Sequence, residues 1–182
     1  AGAGGMDLCM LVVAADEGIM PQTVEHLDIL SILGIKKGVI VITKTDLVEK
    51  DFAELVAEDV SELVKGTFLE DAPIVPVSVY EEKGLDELKK VLTDLCDSLP
   101  ERSEEGHFRL PIDRVFTLKG FGTIVTGTLM EGKLKKDQNI VLYPENEPVK
   151  VRSLQVHSKD ANVAYAGQRV AVNVPDRKKE EI

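Results

Sequence analysis

Val39-Ile40-Val41-Ile42-Thr43-Lys44-Thr45-Asp46 decides how the first half of the chain is read. Four consecutive β-branched residues predict a strand buried on both faces, the habit of a parallel sheet. The strand runs straight into Thr-Lys-Thr-Asp, and open α/β sheets bind ligands where the chain leaves the carboxyl end of a strand. A carboxylate held there suits guanine. Its two oxygens accept together from the ring N–H and the exocyclic amino group, a donor pair that adenine lacks on that edge. A site built on this pairing rejects the wrong base strongly, because buried acceptors would go unpaired. Lys44 can lay its aliphatic stem across the face of the base while its ammonium stays in solvent. Alone, Lys-x-Asp after a strand is ordinary punctuation, so the rest of the chain has to decide.

A chain of 182 residues buries one ordinary core or two small ones. No apolar run approaches the length of a membrane span. The opening Ala1-Gly2-Ala3-Gly4-Gly5 has neither the basic region nor the apolar core of a signal peptide. It also lacks an initiator Met, so the chain is expected to start inside a longer protein. Cys9 and Cys96 read as small buried hydrophobes in a reduced, cytoplasmic setting, and no Cys/His spacing resembles a metal site. Residues 1–100 carry 20 acidic against 8 basic side chains, and residues 101–182 carry 12 against 14. Such asymmetry indicates two domains with different tasks. An acidic first half is ill suited to a phosphate backbone, so any nucleic-acid contact falls to the second.

In chain order, Leu8–Ala14 is a second buried-strand run. Pro21 opens a helix that puts Val24, Leu27 and Leu30 on one side, broadened by Ile29 and Leu33, and Gly34 ends it. Phe52, Val56, Val60 and Leu63 are spaced for a second amphipathic helix with an acidic outer face. Ile74–Ser78 is a third short strand, and Leu85, Leu88, Leu92, Leu95 and Leu99 form the stripe of a third helix. The order β-α-β-α-β-α means a parallel sheet with right-handed crossovers. Three such strands need neighbours and cover, so further strands are expected before residue 1.

The run from Met6-Asp7 through Leu11-Val12-Val13-Ala14-Ala15-Asp16-Glu17-Gly18-Ile19-Met20-Pro21-Gln22-Thr23-Val24-Glu25-His26 resembles the translational GTPases related to elongation factor Tu. Thr43-Lys44-Thr45-Asp46 then falls where that family keeps its guanine-specificity motif, and Val77-Ser78-Val79 falls at its second guanine-contacting loop. The resemblance implies binding of GTP or GDP by Thr43, Lys44, Asp46, Ser78 and Val79. The family usually has Asn at position 43 and Ala at position 79. A Thr hydroxyl replaces only part of what an Asn amide bonds, whereas a backbone N–H at Val79 would still meet the guanine oxygen. No Gly-x-x-x-x-Gly-Lys-Ser/Thr occurs in the chain, so the phosphate cradle and the Mg²⁺ ligands are absent. No catalytic residue is expected here, and this segment alone is not expected to hydrolyse GTP.

Residues 1–100 are thus expected to form the C-terminal part of a P-loop GTPase parallel-sheet domain, α/β in class. Residues 101–107 read as a polar linker. Residues 108–182 turn all-β, with short strands expected at 109–116, 123–129, 139–143, 149–156 and 168–174 and Gly-rich turns between them, the pattern of a small barrel. This half resembles the translation-factor barrel that receives the aminoacyl end of tRNA. Phe108–Phe116 with Gly167–Asn173 looks most like the selenocysteine-specific elongation factors. That likeness implies an aminoacyl pocket formed by Asp113, Arg114 and Arg169. It also implies selenocysteinyl-tRNA and the ribosome as partners, and a selenocysteine-insertion RNA hairpin bound through regions not present. A selenol ionises at neutral pH where a serine hydroxyl does not, and guanidiniums favour the anion. Ordinary surface ion pairs, a non-catalytic tRNA- or protein-docking scaffold, and another elongation factor Tu-like GTPase are the competing readings at this level.

Overall fold

Val39, Ile40, Val41 and Ile42 are all at most 2% exposed, because β2 (Gly38–Thr43) runs between two parallel neighbours. A computed structural model describes residues 5–175 of the chain. β1 (Cys9–Ala14) pairs with β2 from Cys9 opposite Gly38 to Ala14 opposite Thr43, and β3 (Ile74–Pro76) flanks its other side. Alternation splits the β2 side chains between two layers. Ile40 and Ile42 join Cys9, Leu11, Val13, Leu27, Val56 and Val60 beneath α1 (Pro21–Ile32) and α2 (Lys50–Leu63). Val39 and Val41 join Val75 and Val77 against Leu85, Leu88, Val91, Leu92 and Leu95 of α3 (Leu85–Asp97). Gly38 begins β2 because a Cβ there would lie 2.6 Å from the Cys9 carbonyl oxygen.

Several side chains depart from the expected pattern. β1 is buried on one face only: Met10 and Val12 are each 49% exposed, since this edge strand lies outside the cover of α3. In α1 only Leu27 is fully buried and Leu30 partly so, while Val24, Ile29 and Leu33 remain exposed. The helix touches the sheet along a narrow line rather than a broad face. Phe52 is 48% exposed, because the buried line of α2 runs through Val56 and Val60 and continues to Val64. Cys96 is exposed, and Leu99 lies past the end of α3.

Residues 101–175 form a separate unit. β4 (Ile112–Leu118), β5 (Gly122–Thr128), β9 (Ser153–Val156), β10 (Lys159–Ala161) and β12 (Arg169–Asn173) make an antiparallel sheet in the order β10-β9-β12-β5-β4. Two pairs, β6 (Lys133–Lys135) with β11 (Val163–Tyr165) and β7 (Asn139–Leu142) with β8 (Glu147–Lys150), wrap the same core. Val125, Leu129, Leu134, Val151, Leu154, Val170 and Val172 fill it. The single strand expected over 149–156 is two strands, broken at Val151 and Arg152. β6, β10 and β11, at three residues each, are too short to show alternation in the sequence. No helix among the described residues is long and apolar enough to cross a membrane.

Candidate functional site

The loops leaving the carboxyl ends of β2 and β3 are stitched together. The Val77 N–H donates to the Ile42 carbonyl at 2.8 Å, and the Thr45 N–H reaches the Val77 carbonyl at 3.4 Å. Ser78 is fully buried, and its hydroxyl donates to Asp46 Oδ1 at 2.5 Å while accepting the Glu81 N–H at 3.0 Å. A buried hydroxyl satisfied on both sides is a rigid post for the carboxylate beside it. Asp46 Oδ2 and the second lone pair of Oδ1 remain as acceptors. Gly84, with φ +73°, closes the second loop; a Cβ there would fall 2.1 Å from the Pro76 carbonyl oxygen. Val79, at the head of that loop, is 72% exposed.

Thr43 and Lys44 complete the constellation from the other side. The Thr43 hydroxyl donates to the Val13 carbonyl at 3.4 Å, and the Ala15 N–H donates to the Thr43 carbonyl at 2.8 Å, so the exits of β1 and β2 are tied. Lys44 sits in the left-handed region, φ +57°. Its side chain stays exposed, as expected, but the ammonium is paired. It pairs with Asp16 Oδ2 at 3.0 Å and Glu17 Oε1 at 3.1 Å, and these hydrogen bonds raise its pKa. The arrangement can present a fixed acceptor pair to a planar donor edge, with an aliphatic stem beside it.

The second cluster lies on the outer face of the barrel sheet. The pairing of β4 with β5 slips between Ile112 and Arg114, a bulge that re-aims Asp113. Arg169 donates to Asp113 through both terminal nitrogens, at 2.6 and 2.9 Å, and the Thr126 hydroxyl adds a bond at 2.8 Å. The Arg169 guanidinium, with Thr126 behind it, holds the Asp113 carboxyl below its ordinary range against the opposing effect of burial. Arg114 is exposed and acts on Asp113 through its charge rather than by contact. The structure therefore brings Asp113 and Arg169 together and leaves Arg114 beside them.

Sequence reasoning missed a neighbour of this pair. Arg169, Ala171 and Asn173 alternate along β12 with the core residues Val170 and Val172, so they share the outer face. Asn173 is 4% exposed; its amide N–H donates to the Phe121 carbonyl at 2.9 Å, and its Oδ1 has no hydrogen-bond partner. With Ala171, Ile124 and Gln155 it lines a cavity of about 450 Å³. The only sequence signal was an amide set between Val172 and Val174. His26, His107 and His157 are exposed and belong to neither cluster. No group of three or more His, Cys, Asp or Glu among the described residues is placed to hold a metal.

Comparison with known proteins agrees with this division. The family model of the elongation factor Tu GTP-binding domain matches residues 1–98, and that of elongation factor Tu domain 2 matches residues 122–182. The chain is 53% identical to the selenocysteine-specific elongation factor of Desulfomicrobium baculatum, over 95% of this chain and 27% of that protein. Two crystal structures of translation elongation factor SelB from Methanococcus maripaludis are each 34% identical to it over 99% of this chain. The apo form superposes with a TM-score of 0.90 over 39% of its chain, and the complex with the GTP analogue GPPNHP with 0.86 over 40%. The chain spans about a quarter of the length of the first of these relatives. With a parallel sheet whose exits are tied around Asp46, and a barrel bearing the Asp113–Arg169 pair, the chain belongs to the elongation factor Tu family of GTP-binding translation factors, alongside the selenocysteine-specific elongation factors.

Proposed function

We propose that this chain supplies the base-reading half of a GTP switch and the aminoacyl-reading barrel of a factor that carries selenocysteinyl-tRNA to the ribosome. Asp46, braced by Ser78, accepts from the guanine ring N–H and amino group. The Val79 N–H meets the guanine oxygen, and the Lys44 stem covers the base, with Thr43 holding the loop beneath. These residues fit the base end of GTP or GDP. The chain has no Gly-x-x-x-x-Gly-Lys-Ser/Thr, so phosphate and Mg²⁺ binding, and GTP hydrolysis, are proposed for the whole protein. An RNA hairpin partner is likewise proposed for regions other than these.

On the barrel, Asn173 and Arg169 stand four residues apart on one face, roughly 13 Å along the strand. That separation suits an amino acid esterified to a nucleoside. The base would occupy the cavity, where the Asn173 Oδ1 still needs a donor, and the side chain would reach the Asp113–Arg169 pair with Arg114 at its rim. Asp113 holds the guanidinium flat, and the nitrogen edges that remain, with Arg114, favour a selenolate over a neutral hydroxyl.

The observation that carries the nucleotide reading is the buried Ser78 hydroxyl aimed at Asp46. Asp46→Asn in the full-length protein tests it. GDP affinity should fall about 100-fold or more, with a gain for xanthosine diphosphate, which presents a carbonyl where guanine has its amino group. An Asp46→Asn protein with normal GDP affinity would overturn the assignment.

A further inference from the structure

We propose that Asp16 and Glu17, at the exit of β1, are positioning residues for base recognition: together they hold the Lys44 ammonium and so fix the lysine stem over the purine site. The inference rests on the guanine-binding reading of Asp46. A lysine on an exposed turn has four rotatable bonds, and ordering it on a ligand costs side-chain entropy. Here both acceptors are already in place, Asp16 Oδ2 at 3.0 Å and Glu17 Oε1 at 3.1 Å. They come from a different loop, so the side chain is drawn across the gap between two strand exits instead of trailing along its own turn.

The anchor is itself rigid. The Gly18 and Glu17 N–H groups both donate to the Ala14 carbonyl, at 2.9 and 3.2 Å, closing the turn that carries the two acids. The Ala15 N–H and the Thr43 hydroxyl tie that turn to β2, as described above. Lys44 keeps its left-handed backbone beside them. Each exposed ion pair is weak alone. Their effect is to pre-order a long side chain two residues from Asp46, which lowers the cost of binding rather than adding a new contact to the ligand.

A double-mutant cycle on the full-length protein separates this role from a structural one. Release of a fluorescent GDP derivative is timed for wild type, for Asp16→Asn with Glu17→Gln, and for both forms in a Lys44→Gln background. The acid substitutions should speed release roughly 3- to 10-fold with association unchanged, and should do nothing further once Lys44 is replaced. Glu17→Gln alone, at a position 56% exposed, gives the same direction if the double variant fails to fold. Unchanged release, or equal acceleration in both backgrounds, overturns the proposal. A wild-type protein that does not prefer GDP over ADP rejects the guanine reading itself, whereas a guanine-specific protein with a flat cycle rejects only the role of the two acids.

Discussion

The Asp113 side chain is 14% exposed and is bonded by two donors of Arg169 and one of Thr126, so its charged form is favoured in the folded chain. Its pKa is lowered from 3.8, chiefly by the Arg169 hydrogen bond. A depressed carboxylate pKa contributes stability that is fully present above the unfolded value and is lost as pH falls through the folded one. Acid titration should therefore show Arg169→Ala less stable than wild type above the ordinary carboxylate range, with the two proteins converging as pH falls below that range. Parallel acid limbs for the two proteins would show that the ion pair contributes nothing. The same substitution, made in the full-length protein, tests the pocket. Loss of a charge-assisted contact to the selenolate should cut discrimination between selenocysteinyl- and seryl-tRNA about 10-fold or more. Arg169→Lys should not restore it, because an ammonium cannot span both carboxylate oxygens while offering a further planar edge. Unchanged discrimination in Arg169→Ala would remove that residue from the pocket.

β2 is the element on which the site depends, because both of its faces are buried and its exit carries Thr43–Asp46. Ile40→Ala should cost about 2–5 kcal/mol in chemical denaturation. Val12→Ala on the neighbouring strand, where the side chain is 49% exposed, should cost under about 0.5 kcal/mol. Equal losses would mean that β1 is covered in solution. This contrast was only half legible in the sequence. Continuous apolar runs look alike whether a strand is central or at an edge, so 39–42 read correctly, while 8–14 read correctly as a strand but not as one with an open face. The leucine spacing of α3 was legible because each leucine meets the same layer of valines. The exposed Val24 and Ile29 of α1 were not, since periodicity reports which residues share a face and not how wide the contact is. That the loops after β2 and β3 meet was readable because their polar residues follow strands in fixed order. Asp16 and Glu17 entered the sequence reading only as part of the run Met6–His26, since nothing in a local pattern says that Lys44, 28 and 27 positions away, reaches them.

At the scale of the whole chain, the buried residues fall into cores that respect the division at Pro100, and the α/β unit presents two different sheet edges. β3 is three residues long and includes Pro76, which offers no N–H, so that edge is blunted. β1 is six residues long, has no proline, and pairs only with β2 among the described strands. Met10 and Val12 stand half-exposed on its uncovered face. Unpaired backbone groups beside apolar side chains make a template for another strand, and lysine on such an edge is the usual deterrent. The 182-residue chain should consequently self-associate as its concentration rises, and Val12→Lys with Met10→Lys should return it to a monomer without altering its helix and strand content. Sedimentation velocity over a concentration series, with circular dichroism of both forms, checks this. A wild-type chain that stays monomeric throughout would mean that β1 is shielded in solution. Association that persists in the lysine variant would place the contact elsewhere, and the exposed face of α1, with Ile32 at 85% exposure, would be the surface to alter next.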